Sequence, residues 1–362
     1  MKNSDSYSWL DQILHRIAFK GIGIQRELAD IEDRLFMRRL EGISIEKPVF
    51  ITSLPRAGTT LLLEVLNAVP DFASHTYRDM PFVLCPILGE KFTKNFRKES
   101  TLRARAHADG ISIGFDSPEA LEEIIWMAFW KDKYSSNQIT PWSVADRQPE
   151  FEQFFRSHMR KIIALRSMTT SGSGHFPRYI SKNNANIARL SLLSLLFPDC
   201  RIVIPFRNPW DHIKSLRHQH SRFTNIHNTE PFSLLYMEWL GHFEFGKSLR
   251  PINFNKWVEN HGNSDPQNEI FWLNYWVETY EAILATVNYN IYFFDYDRAC
   301  TNPEQGLRSL ADALEMSNPK DLLEQSTRFR APTAYKQSLA NFDAPLHKRI
   351  QEAYLTMVAR AS

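Results

Sequence analysis

The 362-residue sequence predicts an α/β domain in which a parallel sheet carries helices on both faces. Three observations lead there. Apolar strands such as "PVFITSL" and "CRIVIPF" run straight into helical patterns, strand and helix alternate along most of the chain, and neither an internal repeat nor a low-complexity linker divides it. With 43% apolar and 13% aromatic residues, the chain has enough to bury a substantial core as one domain over 1–362.

The first 45 residues read as an N-terminal helical segment. "MKNSDSYSWLDQILHRIAFK" is weakly amphipathic but is interrupted by Asp11, His15 and Arg16, so it lacks the continuous apolar run of a signal peptide. It is expected to pack on the body of the protein, with peripheral membrane contact as the alternative. In "GIQRELADIEDRLFMRRL", Ile24, Leu28, Ile31, Leu35 and Phe36 recur at helical spacing and predict an amphipathic helix. The strand "PVFITSL" and its helix follow, then an extended segment and loop in "DFASHTYRDMPF". "SPEALEEIIWMAFWKD" predicts a helix with Ser117 as N-cap and Pro118 in the first turn, and "PEFEQFFRSHMRKIIALRSM" a longer one. Residues 84–172 are too long for a simple crossover and read as a helical insertion that covers a substrate cleft.

Beyond it come the short strand "RYIS", the helix "NIARLSLLSLLF" and the strand "CRIVIPF", whose unbroken apolar run suits burial on both faces. A helix beginning near Pro209 is predicted next, then two long aromatic helices in "PFSLLYMEWLGHFEFGKSL" and "EIFWLNYWVETYEAIL". "NIYFFDY" is the last strand and "NPEQGLRSLADAL" the helix behind it.

Lys and Arg number 43 against 41 Asp and Glu, a balance that argues against bulk attraction to nucleic acid, so any anion site is local. Cys85, Cys200 and Cys300 lie in or beside apolar runs without C-x-x-C spacing, which reads as buried, reduced thiols and a cytoplasmic setting.

The first chemical constellation is the turn "SLPRAGTT". A strand, Gly58, then Thr59 and Thr60 opening a helix gather backbone N–H groups around one point at the positive end of the helix dipole, an arrangement suited to phosphate. A nucleoside-triphosphatase loop would carry glycine at Ser53 and lysine at Thr59, and no acidic residue for magnesium follows an apolar strand, so magnesium-dependent triphosphate cleavage is disfavoured. Arg56 offers instead a permanent charge beside the anion. The second constellation is "RIVIPFRNPWDHIKSLRHQH". Arg207 stands at the C-terminal end of a buried strand, where open α/β sheets place ligands. Ser215, eight residues on, reaches the same anion only if Asn208-Pro209 bends the chain before the helix begins.

Taken together and in this order, "PRAGTT" and "FRNPWDHIKS" resemble the nucleotide-binding elements of sulfotransferases that use 3'-phosphoadenosine 5'-phosphosulfate, PAPS. "FPDCRIVIPFRNP" and "YFFDYDRACTNPEQGLRSLADAL" extend the resemblance over about residues 48–80 and 178–315, and "RAHADGISIGFDSPEALEEIIW" looks like segments of bacterial members. The resemblance implies a P-loop-like three-layer fold and transfer of a sulfuryl group from PAPS to a hydroxyl or amine. It places Arg56 at the family's catalytic lysine or arginine, Ala57, Gly58, Thr59 and Thr60 in the 5'-phosphosulfate cradle, and Arg207 and Ser215 at the 3'-phosphate. Lys182, in "YISKNN", matches a basic residue near the transferred group; an exposed lysine after a strand is the plain alternative.

Such a transfer needs a base for the acceptor's proton, and the family uses histidine or glutamate. Here the expected base is Asp79, with His107 as the alternative and Asn184 and His75 behind them; an ion pair between Arg78 and Asp79 is the competing reading. His212, His218, His220 and His227 lack the spacing and companions of a zinc site, so no metal is expected. Trp239, Phe243, Phe245, Trp272, Tyr275, Trp276 and Tyr280 read as core or as an acceptor pocket. The enzyme expected is a PAPS-dependent sulfotransferase acting on a carbohydrate or glycolipid, without nucleic-acid partners. A nucleotide kinase of the same fold and a non-catalytic nucleotide-binding relative are the rivals.

Overall fold

The structure, a computed structural model, describes residues 19, 21–93, 103–104, 112–113, 116–167, 176–261, 264–286, 290–330 and 343–361. Its strands are β1 (Val49–Ile51), β2 (Phe72–Ala73), β3 (Arg103–Ala104), β4 (Ser112–Ile113), β5 (Arg178–Lys182), β6 (Arg201–Phe206) and β7 (Ile291–Asp295). Five of them form a parallel sheet in the order β2-β5-β1-β6-β7, while β3 and β4 pair antiparallel on their own. The chain leaves β1 for β2 and β5 on one side, then crosses to β6 on the other. β1 therefore lies at the switch in strand order where open α/β sheets bind ligands. Ile51 is in register with both Lys182 and Val203, so β1 and β5 end together, while β6 runs three residues further to Phe206 before Arg207.

The principal helices are α1 (Ile22–Leu35), α2 (Thr59–Asn67), α3 (Pro86–Thr93), α4 (Glu123–Phe129), α5 (Pro149–Ser167), α6 (Leu190–Leu196), α7 (Pro209–Thr229), α8 (Pro231–Leu240), α9 (Glu269–Ala285), α10 (Pro303–Ala313) and α11 (Ala344–Arg360). Strand alternation divides the core into two layers. Val49, Ile51, Ile180, Val203 and Phe294 face α2 and α10, where Leu62, Leu66, Leu307 and Leu310 are buried. Phe50, Tyr179, Ile202, Ile204 and Phe206 face the opposite layer, built from α5, α6, α7, α9 and α11. Each large apolar side chain buried this way contributes roughly 1.5–3 kcal/mol, so both faces of the short β1 are strongly specified.

Three elements depart from the sequence expectation. The apolar stripe of α1 faces outward, with Ile24, Ile31 and Leu35 exposed by 66%, 47% and 65%. Its buried side is Gln25, Ala29 and Glu32. Polar recognition explains the inversion: Gln25 Nε2 donates to Pro81 O at 3.1 Å, Leu84 N–H donates to Gln25 Oε1 at 3.2 Å, and Leu88 N–H donates to Glu32 Oε1 at 2.6 Å. Lys161 on α5, itself buried, closes the contact with Nζ 3.0 Å from Glu32 Oε2, 2.8 Å from Asp33 Oδ1 and 3.1 Å from Ala29 O.

Secondly, Ser117 does not cap a helix. Tyr77 N–H donates to Ser117 O at 3.2 Å and Glu119 N–H donates to His75 O at 3.0 Å, so backbone pairing with the loop after β2 keeps this stretch extended, and α4 starts only at Glu123. Thirdly, the described part of residues 84–172 contributes to the main core. Within them β3 pairs with β4, and α5 buries Phe151, Phe155, Met159, Ile162 and Ile163 in the main core. The thiols of Cys85, Cys200 and Cys300 are unpaired and buried, and burial pushes those of Cys85 and Cys200 up to about 12. Among the described residues no helix is long and apolar enough to cross a membrane.

Breaking a buried ion pair from one side leaves the other charge stranded, at a cost of about 3–5 kcal/mol. Lys161→Met is therefore expected to lower unfolding free energy by that amount in urea titrations. Leu35→Ser, on the exposed stripe, should change it by less than about 0.5 kcal/mol.

Candidate functional site

The site is built on the turn from β1 into α2. Arg56 has φ +71° and Gly58 φ +99°, both in the left-handed region. Any side chain at 58 would also collide with a neighbour, because a Cβ there would lie 2.2 Å from Tyr296 Cδ2. No side chain caps α2, so the first-turn amides, which the helix itself cannot use, open towards the turn.

Three buried groups hold the turn from beneath. His212 Nε2 donates to Pro55 O at 2.8 Å, and its Nδ1 accepts from Trp276 Nε1 at 3.2 Å. Complete burial, with Arg207 and Arg56 nearby, pushes the His212 pKa down to about 3 despite the favourable bond to Pro55 O, so the ring is neutral with a defined tautomer. The third group is Tyr280, whose hydroxyl lies 2.9 Å from Ser53 Oγ. Trp276 and Tyr280 thus belong to the core and also support the turn.

Arg56, Arg207 and Ser215 converge. Arg56 Nε donates to Ser215 Oγ at 3.3 Å, and Arg207 Nη1 donates to Arg56 O at 3.4 Å. The bend that brings Ser215 in is made at Asn208, whose side chain caps α7 by accepting from the amides of Trp210 and Asp211. Arg207 is only 8% exposed; its Nε faces Asp297 Oδ1 at 3.5 Å yet has no hydrogen-bond partner among the described residues. Ala57 is buried in the turn, and Thr59 Oγ1 donates to Asn184 Oδ1 at 3.3 Å. Thr60 stands beside Thr59 in the first turn of α2.

Beside the turn a small cleft opens to solvent, walled by Leu54 and Pro55, by Lys182 at the end of β5 and Asn184 beyond it, by Glu123 on α4, and by the segment from Gly241 to Glu244. Lys182 sits at the end of its strand and is 6% exposed, so it is a cleft residue and not a surface lysine. Of the aromatic residues singled out in the sequence, Phe243 and Tyr275 line this cleft.

The structure overturns Asp79 as the base. Its carboxylate is 3% exposed and fully engaged: Arg166 Nη2 donates to both oxygens at 2.7 and 2.6 Å, Thr76 N–H donates at 2.9 Å, and His75 Nδ1 is 3.3 Å away. Burial alone would raise its pKa, but Arg166 and His75 hold it well below the usual carboxylate range. It is a structural anion that does not line the cleft. His75 is likewise spent, between Asp79 and His158, whose Nε2 lies 3.0 Å from that of His75. The expected partner Arg78 pairs with Asp116 instead. His107 lies outside the described residues. Asn184 lines the cleft, but as an amide it relays hydrogen bonds and takes no proton.

Two cleft residues escaped the sequence reading, His242 and Glu244. The run "PFSLLYMEWLGHFEFGKSL" reads as one helix, yet α8 stops at Leu240 in a Schellman turn, with Gly241 N–H donating to Glu238 O at 3.2 Å and His242 N–H to Met237 O at 2.9 Å. Gly241, at φ +74°, was the available signal; a Cβ there would lie 2.5 Å from Glu123 Cγ. The histidines of α7 hold the loop that follows. Nδ1 of His220 accepts from Gly246 N–H at 3.2 Å, and Nδ1 of His227 from Lys247 N–H at 3.1 Å. Burial keeps both rings neutral enough to accept, with His220 pushed down to about 4.

The model of the Sulfotransferase family matches residues 48–320. No curated protein matches the chain. Among solved structures, the chain is similar to sulfotransferase STF9 from Mycobacterium avium, at 13% identity over 99% of this chain and 87% of that one with a TM-score of 0.49. Sulfotransferase STF1 from Mycobacterium tuberculosis H37Rv is 15% identical over 93% and 85%, again with a TM-score of 0.49. The sulfotransferase domain from the curacin biosynthetic pathway is 13% identical over 87% and 99%, with a TM-score of 0.39.

The turn's dependence on a neutral His212 has a pH consequence. The unfolded ring takes a proton near pH 6.5 and the folded ring only near 3, so between these values the unfolded state binds more protons and stability is lost as pH falls, by about 1.4 kcal/mol per unit from this group. Urea unfolding at pH 7 and pH 5 should show a steeper loss for the wild type than for His212→Gln, whose amide can still donate to Pro55 O.

Proposed function

The chain belongs to the sulfotransferase family, and we propose that it moves the sulfuryl group of PAPS onto a hydroxyl of an acceptor, leaving adenosine 3',5'-bisphosphate. The observation that carries the donor assignment is the convergence of Arg207 and Ser215 on Arg56. The turn with its helix N-terminus and the Arg207 and Ser215 side chains meet at Arg56, which suits a nucleotide bearing a 5'-phosphosulfate and a separate 3'-phosphate. The buried Arg207 guanidinium, whose Nε lies 3.5 Å from Asp297 Oδ1 and has no hydrogen-bond partner among the described residues, supports the second of these phosphates. A kinase would need a lysine where Thr59 stands.

In this reading the turn amides, Thr59 and Thr60 receive the phosphosulfate, and Arg56 and Lys182 offset the charge that develops on the oxygen linking sulfur to phosphorus as their bond breaks. The cleft beside Lys182 takes the acceptor. Its walls mix the apolar side chains of Leu54, Ile139, Ile187 and Ile252 with the polar ones of Asn184, Glu244 and Arg250, which supports a hydroxyl carried on a partly apolar body, glycolipids included.

Arg207→Ala should weaken calorimetric binding of adenosine 3',5'-bisphosphate by about 10- to 100-fold, the worth of a charged hydrogen bond, while binding of adenosine 5'-phosphate changes by less than about threefold. Equal losses for the two ligands would count against the assignment.

A further inference from the structure

The geometry points to His242 as the general base that takes the acceptor's proton, with Glu244 as its positioning residue. This inference rests on the sulfuryl-transfer reading and supplies the proton acceptor that Asp79 cannot be.

Elimination within the cleft comes first. Its acidic residues are Glu123 and Glu244. Glu123 is saturated: Arg189 Nη2 donates to its two oxygens at 2.8 and 2.9 Å, Asn183 Nδ2 donates to Oε2 at 2.7 Å, and the Tyr134 hydroxyl donates to Oε1. Glu244 accepts from Asn184 Nδ2 at 2.9 Å and lies 3.6 Å from His242 Nδ1. Burial would raise its pKa, but the contacts with His242, Lys182 and Asn184 lower it. What remains among the described cleft residues is His242. Its Nδ1 lies 3.6 Å from Glu244 Oε2, so the carboxylate orients the ring from that side, and its Nε2 has no hydrogen-bond partner among the described residues.

A second observation ties this pair to the donor site. Thr59, in the first turn of α2, donates to Asn184 Oδ1, and Asn184 donates on to Glu244, whose other oxygen faces His242. One chain of polar contacts therefore runs from the phosphosulfate cradle to the imidazole. The backbone that carries the pair is rigid: Gly241 closes α8, and His220 and His227 hold the amides of Gly246 and Lys247. A separation of 3.6 Å between Nδ1 and the carboxylate is of the kind that tightens when substrates bind.

In the step itself the acceptor oxygen forms a bond to sulfur as the bond from sulfur to the 5'-phosphate oxygen breaks. That bond's electron pair leaves with adenosine 3',5'-bisphosphate. The hydroxyl proton passes to His242 Nε2, and the imidazolium is stabilised by Glu244.

The test uses the full chain, calorimetry with adenosine 3',5'-bisphosphate, and release of that product from PAPS with water, phenol or methyl glucoside as probe acceptors. His242→Gln and His242→Asn are expected to bind the bisphosphate within twofold of the wild type and to release it from PAPS about 10²- to 10⁴-fold more slowly. Glu244→Gln, which can still accept from Asn184, should lower kcat about tenfold with KM for PAPS unchanged. Turnover within twofold of the wild type in both His242 variants would overturn the assignment alone. A wild type that fails to bind the bisphosphate would overturn the donor reading on which it rests.

Discussion

The hydrogen bond from His212 to the carbonyl of Pro55 is the contact on which the cradle depends. A turn that takes Arg56 and Gly58 through the left-handed region is strained and must be held from outside. The holding groups come from two distant helices, His212 on α7 and Tyr280 and Trp276 on α9, and from Tyr296, whose ring lies flush against Gly58. Because α7 also carries Ser215, and begins right after Asn208, the helix that supports the turn also brings Ser215 against Arg56. Turn and helix are mechanically one unit.

Buried charge organises the layer around that unit. Glu32 with Lys161, Asp79 with Arg166, and Glu123 with Arg189 each fix a part of the 84–172 region or of α1 against the sheet. Such pairs contribute little net stability relative to apolar packing, but they tolerate few alternative registers. Arg189 also lies over the rings of Trp126 and Trp142, at 4.3 and 4.1 Å from their centroids, so the charge that anchors Glu123 is itself enclosed by the aromatic core. Since Glu123 walls the cleft and sits against Gly241, the same pair sets where α8 must stop.

The two parts of the candidate site come from different sources. The turn proposed to hold the donor is made from strand ends and helix starts that follow one another in the chain, in the order typical of parallel α/β sheets. The cleft proposed for the acceptor is walled by α4, the end of β5 and the segment after α8, which ends at Leu240. Lys182 and Asn184 stand between the two, and their contacts face both ways.

Much of this was legible in the residues themselves. The sequence pattern located β1, β5, β6 and β7, with β2 read only as an extended segment, and Gly58, Arg207 and Ser215 marked the turn and the bend, because local backbone requirements leave local signatures. The orientation of α1 was not legible, since a stripe of Ile and Leu outweighs Gln25 and Glu32 in any periodicity, and only Lys161 and the amides of Leu84 and Leu88 reverse it. Asp79 carried the right chemistry for a base in the right neighbourhood of the chain, and Arg166, 87 positions away, removed it. His242 and Glu244 were hidden inside an apolar helical pattern. The sequence by itself thus determined the sheet, its order of motifs and the turn between β1 and α2, all consequences of short-range geometry. Which charges are paired, and therefore which groups remain able to accept a proton, was decided only by tertiary contacts between residues far apart in the chain.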